Sequence, residues 1–262
     1  MEALLLIGYA IIGILAGFIS GLIGISGGVI TVPLLFLLFH FQGLPQAYLI
    51  QLAIGTSLAS MVSNACSATI WHQRHRAIDW TTIKIMTPGI VVGSISGGIV
   101  ARLISAIFLE MLFGLFACAL AIYYWKRKKR HRKTHKHDRS LIATLSGGIA
   151  FFAALLGIGG GIFTVPLLSA LSFSEEKAIG TSAAAGLFIT TFGALSFLFL
   201  GVGQIELPEV LGYIYLPAFF LVGITSFFAA PFGANLTYQL PEKKLQKIFA
   251  IFLFAAGILM LF

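Results

Sequence analysis

Two stretches of this chain repeat each other and carry the residue types that bind an anion through backbone rather than charge. They are 24–35 (GISGGVITVPLL) and 157–168 (GIGGGIFTVPLL). A glycine cluster unwinds the chain and bares its N–H groups. A helix starting just after it aims the positive end of its dipole at the same spot. The first stretch nominates Ser26, Gly27, Gly28 and Thr31; the second nominates Gly159, Gly160, Gly161 and Thr164. Glycines that merely let helices approach closely are the plainer reading. That reading accounts for one or two glycines, and less well for two matching clusters each followed by Thr-Val-Pro. A second motif, Ala-Ile-Gly-Thr-Ser, also recurs. It places Gly55, Thr56 and Ser57 in one half and Gly180, Thr181 and Ser182 in the other. The hydroxyls can donate to an anion's oxygens or simply tie helices together. Asn64, deep in an apolar run with Ser60 and Ser63 nearby, is a further pathway candidate or ordinary interhelical glue.

The elements that position these residues are membrane helices. Of 262 residues 58% are hydrophobic, 29 are Gly and only 10% are charged, and mean hydropathy is +0.99. Soluble domains carry about 25% charged residues, so a cytosolic enzyme is excluded. At about 20 apolar residues per crossing, the composition allows roughly ten segments. They run 3–24, 29–44, 49–71, 83–103 and 107–125, then 141–156, 161–173, 178–202, 210–236 and 245–262. The second and seventh are too short for a full crossing and read as half-helices or re-entrant pieces. Helices are expected throughout, because each span must satisfy its own backbone in lipid. Residues 1–125 form a first repeat, 126–140 a basic loop and 141–262 a second repeat. Weaker echoes place Arg76–Asp79 against Gly203–Glu206, and Pro88 with Gly93 against Pro217 with Gly223. An odd number of crossings per half inverts the second half relative to the first, a plan common among secondary transporters.

Charge supports that count. Nine of the 17 Lys and Arg lie between Lys126 and Arg139. With this loop in the cytoplasm, Arg102 is the one basic residue that falls outside, as the positive-inside rule requires. Glu206 and Glu209 then fall outside, and both termini are external. The basic run is read as a topology signal touching anionic lipid, not as a nucleic-acid site. No catalytic residue, metal site or cofactor is expected. No phosphate-binding loop of the Gly-x-x-x-x-Gly-Lys-Ser/Thr type is present, so the chain does not itself use ATP.

The paired motifs, with the Ile78-Asp79-Trp80 stretch after a basic turn, resemble the TauE/SafE family of sulfite exporters, also called the 4-toluene sulfonate uptake permease family. The resemblance spans nearly the whole chain except the basic loop. Ser26 stands where the second half has glycine. The resemblance implies a multi-pass bacterial inner-membrane permease for sulfite, a sulfonate or a related small anion. The leading expectation is an all-α polytopic secondary transporter of two inverted repeats, with broken or re-entrant helices at the glycine turns. The alternatives are a passive anion channel and a non-transporting membrane scaffold. Its partners would be a small anion and the lipid bilayer; a homodimer is compatible with the reading.

Overall fold

A computed structural model describes residues 2–23, 27–126, 139–237 and 242–261. Ser26 and residues 127–138 of the basic loop lie outside these. Ten helices are described: α1 Glu2–Ile23, α2 Gly28–Gln42, α3 Leu49–Arg74, α4 Trp80–Leu103, α5 Ala106–Lys126, α6 Arg139–Leu156, α7 Gly161–Ala170, α8 Glu175–Gly201, α9 Leu216–Thr237 and α10 Glu242–Leu261. A 3-10 turn, Gln46–Tyr48, precedes α3, and a two-residue hairpin pairs β1 (Val210–Leu211) with β2 (Ile214–Tyr215) before α9. Each helix falls on one of the ten apolar runs. Six of them are long and apolar enough to cross a membrane. Large apolar side chains such as Leu4, Val92, Ile107, Phe199 and Phe228 face outward, which suits a lipid surround and not water.

The two short segments are short helices. At about 1.5 Å per residue, the 15 residues of α2 and the 10 of α7 rise well under the roughly 30 Å hydrocarbon thickness. Both carry a proline, Pro33 and Pro166, which removes an internal hydrogen bond near the start of each. Leu38 of α2 lies on Gly8 of α1, while Gly27 lies on Ala16. The α2 helix therefore runs back along α1 as a hairpin.

Partnerships between the first five helices and the last five occur in matching pairs. The α1 helix packs along α9 and α6 along α4; α3 meets α9 and α8 meets α4. Glycines set the two closest seams. A Cβ at Gly13 would lie 2.7 Å from Val222 O, and one at Gly17 2.4 Å from Ser226 O. On the other seam Gly89, Gly93 and Gly97 would meet Ala143, Gly147 and Phe151 carbonyls at 2.0, 2.1 and 2.4 Å. Numbering rises together along each seam, so each pair is parallel. Between α3 and α8 it runs oppositely, since Gly55 meets Phe197 and Gly193 meets Leu58. Small residues allow backbones this close, and dispersion then holds them where lipid gives no hydrophobic drive.

Candidate functional site

The two glycine turns lie against each other at the inner ends of α2 and α7. A Cβ at Gly28 would fall 2.1 Å from Gly157 O and 2.7 Å from Met61 Sδ. Gly157, at φ +70°, in turn rests on Ile54 and Val32. Gly159 and Gly160 also take positive φ, +66° and +81°, so the second turn is unwound in a way that only glycine adopts without strain. Gly186 packs on Gly159 O, and Ile189 on Gly160.

Neither helix start has a side-chain cap. Gly27 O accepts from the Ile30 and Thr31 amides, and Gly160 O from those of Phe163 and Thr164. The first-turn amides of Gly28 and Val29, and of Gly161 and Ile162, have no acceptor among the described residues. All four residues are buried. Buried helix starts without partners are rare because each lost hydrogen bond is costly. Among the described residues, the two helix starts thus present four first-turn N–H donors without an acceptor.

The hydroxyls divide into three groups. Thr31 and Thr164 donate back to Gly27 O and Gly160 O at 3.0 and 2.9 Å. Ser57 donates to Gly157 O at 3.1 Å. Each of these three hydroxyls donates to a backbone carbonyl in this structure. Ser182 differs: it is 2% exposed and its Oγ has no partner among the described residues.

Thr56 and Thr181 do something the sequence did not suggest. Thr56 Oγ1 accepts the Tyr215 amide at 2.9 Å, and Thr181 Oγ1 accepts the Asp79 amide at 3.0 Å. Beside them a Cβ at Gly55 would lie 2.2 Å from Tyr213 O, and one at Gly180 2.5 Å from Ala77 O. Each Gly-Thr pair therefore clasps three residues of the connection leading into a helix of the other half. The two grips thus fall on Ala77–Asp79 and Tyr213–Tyr215, whereas the sequence echo pairs Arg76–Asp79 with Gly203–Glu206. Pro217 is the second residue of α9 and Pro88 the ninth of α4.

Asn64 donates through Nδ2 to Ser20 Oγ at 3.0 Å and joins α3 to α1. Ser63 donates to Gly223 O at 2.8 Å across α3 and α9. Both bonds join helices, which for Asn64 is one of its two readings.

Four polar residues escaped the sequence reading. The Tyr9 hydroxyl donates to Gln42 Oε1, Gln42 Nε2 donates to the Tyr215 hydroxyl, and that hydroxyl donates to Glu209 Oε2 at 2.7 Å. Tyr9, Phe39 and Tyr215 rings pack edge to face or tilted around it. Burial raises the neighbouring Tyr213 hydroxyl above the ordinary phenol range, with Arg102 opposing and Tyr48 adding. A tyrosine recurring inside apolar runs was the available signal, since a buried phenol needs a partner.

The model of the family described as sulfite exporter TauE/SafE matches residues 9–260. A probable membrane transporter protein of Haemophilus influenzae is 35% identical over 253 residues, 95% of each chain. One from Methanocaldococcus jannaschii is 28% identical, covering 96% of this chain and 93% of its own. YunE of Bacillus subtilis, named likewise, is 30% identical over 66% of this chain and 70% of its own. No solved structure matches the chain.

Proposed function

We propose, from the premise that the chain belongs to the sulfite exporter TauE/SafE family, that this membrane transporter is a secondary carrier of a small sulfur-containing anion such as sulfite or an organosulfonate. One observation carries the reading: α2 and α7 both begin buried after glycine turns that meet at Gly28 and Gly157, with no side-chain cap among the described residues. An oxyanion supplies what their amides lack. Ser182, with an uncommitted hydroxyl, is the side chain best suited to add a donor. A site of neutral N–H groups also suits transport, because it holds an anion without a buried cation and so releases it.

The two halves are read as inverted repeats. Their matched partnerships, the opposed directions of α3 and α8, and the positive-inside count support this. Rocking one half against the other would then expose the glycine turns to each face of a bacterial inner membrane in turn, with the basic loop cytoplasmic and both termini external.

Counterflow of radiolabelled sulfite in proteoliposomes tests the reading, with sulfonates and carboxylates as competitors. Saturable exchange, suppressed by sulfonates and not by carboxylates, is expected. Flux that never saturates and follows voltage alone would replace the carrier with a channel.

A further inference from the structure

Glu209, Tyr215, Gln42 and Tyr9 form a chain of hydrogen bonds that points one way. Each donor gives its hydrogen outward, from buried Tyr9 through Gln42 and Tyr215 to a carboxylate oxygen. The chain begins at a phenol 1% exposed and passes one 4% exposed. It ends at Glu209, which is exposed. The four residues sit on α1, the end of α2, β2 and the loop before the hairpin. The first two belong to the first half and the last two to the second. The Tyr215 amide is at the same time held by Thr56 Oγ1, and the Leu216 amide by Glu209 O.

We infer that this network is a proton-sensitive latch across the two halves, with Glu209 as the residue that takes up the proton. While Glu209 is ionised it is a pure acceptor, and its bond from the Tyr215 hydroxyl is charge-assisted. A proton arriving from water converts the carboxylate to a neutral carboxyl. That group accepts more weakly and brings a donor of its own to a hydroxyl already receiving one hydrogen from Gln42. The terminal link weakens, and with it the acceptor strength of the Tyr215 hydroxyl toward Gln42, the side-chain bond that crosses between the halves. On the predicted orientation Glu209 faces outside, so external acid releases the outer clasp.

The sign follows from the acceptor's charge: the latch is closed with the carboxylate ionised and looser with it protonated. Other ionisable groups on the packed elements include Tyr9 on α1, His40 on α2, Tyr48 in the 3-10 turn, Arg102 at the end of α4, Tyr213 in the hairpin and Glu206 in the same loop. His40 pairs with Gln46 instead of the network.

The latch as a gate rests on the carrier reading; its chemistry does not, so the test uses no substrate. Hydrogen–deuterium exchange is measured on the full-length protein in detergent, following peptides over 205–216 and correcting for intrinsic exchange at each pH. A charge-assisted bond exceeds a neutral one by enough to change local opening about five-fold. Protection over 213–216 is expected to fall on acidification, by up to about that factor once the carboxylate is fully protonated. Glu209→Gln should be loosened by a similar factor at neutral pH and show no further acid response. Tyr215→Phe should also be loosened at neutral pH. Glu206→Gln and His40→Gln should keep the wild-type transition. Full protection in Glu209→Gln at neutral pH, or an acid transition that survives in it, would overturn the latch and leave the anion site untouched.

Discussion

The two clasps have the same backbone and different furniture. In each, a glycine lies under a carbonyl and a threonine hydroxyl accepts the amide two residues later. Beyond that they part. The clasp on Tyr213–Tyr215 is buried and bolted by aromatic packing and by the hydroxyl chain to Glu209. The clasp on Ala77–Asp79 is half open to solvent, and its acid caps α4 instead, accepting from the Thr81 and Thr82 amides. The two clasps therefore share a main-chain grip, while side chains make one firm and the other light. If the protein works as the proposed carrier, this inequality sets which end resists opening.

The comparison breaks most completely at the glycines the clasps surround. Gly28→Val would drive its side chain into the Gly157 carbonyl and Ile158 backbone. Overpacking of this kind costs about 1–3 kcal/mol or more where only backbone can yield, and counterflow should fall below detection in protein still extracted as a folded monodisperse species. Gly160→Ala should be worse than Gly27→Ala. It places a Cβ 2.4 Å from Ile189 Cδ1 at φ +81°, against 2.8 Å from Ala16 O at an ordinary φ of −64°. Equal thermal unfolding midpoints for those two variants would remove the asymmetry argued for the turns.

Smaller effects sharpen the contrast between clasps. Thr56→Val strands a buried Tyr215 amide and should cost about 1–3 kcal/mol. Thr181→Val bares an amide that water can reach and should cost well under that, so the two midpoints should separate. Identical losses would mean the clasps are equally wet. Asp79→Ala should be the mildest, about 1 kcal/mol from a lost helix cap, read as frayed exchange protection confined to the first turn of α4.

Much of the architecture was legible. Ten apolar runs became ten helices because a span has no other way to satisfy its backbone; α2 is bounded by Gly27 and Gly43, and α7 starts after Gly160 and is C-capped at Leu171. The glycine turns were legible because they occur twice. Their glycine conformations were not: Gly27 is near-helical while Gly160 is left-handed, a difference set by packing on Ala16 and Ile189. Nor were the clasps, which join residues more than 100 positions apart, Thr56 to Tyr215 and Thr181 to Asp79. Hydroxyl chemistry was the weakest inference, since a threonine one turn into a helix finds its own carbonyl first, as Thr31 and Thr164 do. The link from Gln42 to Tyr215 had no sequence signal beyond their polarity.

The glycine seams carry a consequence for how the two halves fit. In one seam the hollows belong to α1, at Gly13 and Gly17; in the other they belong to α4, at Gly89, Gly93 and Gly97. Under the proposed inverted arrangement these helices are not counterparts, so hollow and ridge have changed places between the seams. Two copies of the first half would set hollow against hollow and leave the joint unfilled. The first half therefore supplies the hollows of both seams: Gly13 and Gly17 receive Val222 and Ser226, and Gly89, Gly93 and Gly97 receive Ala143, Gly147 and Phe151.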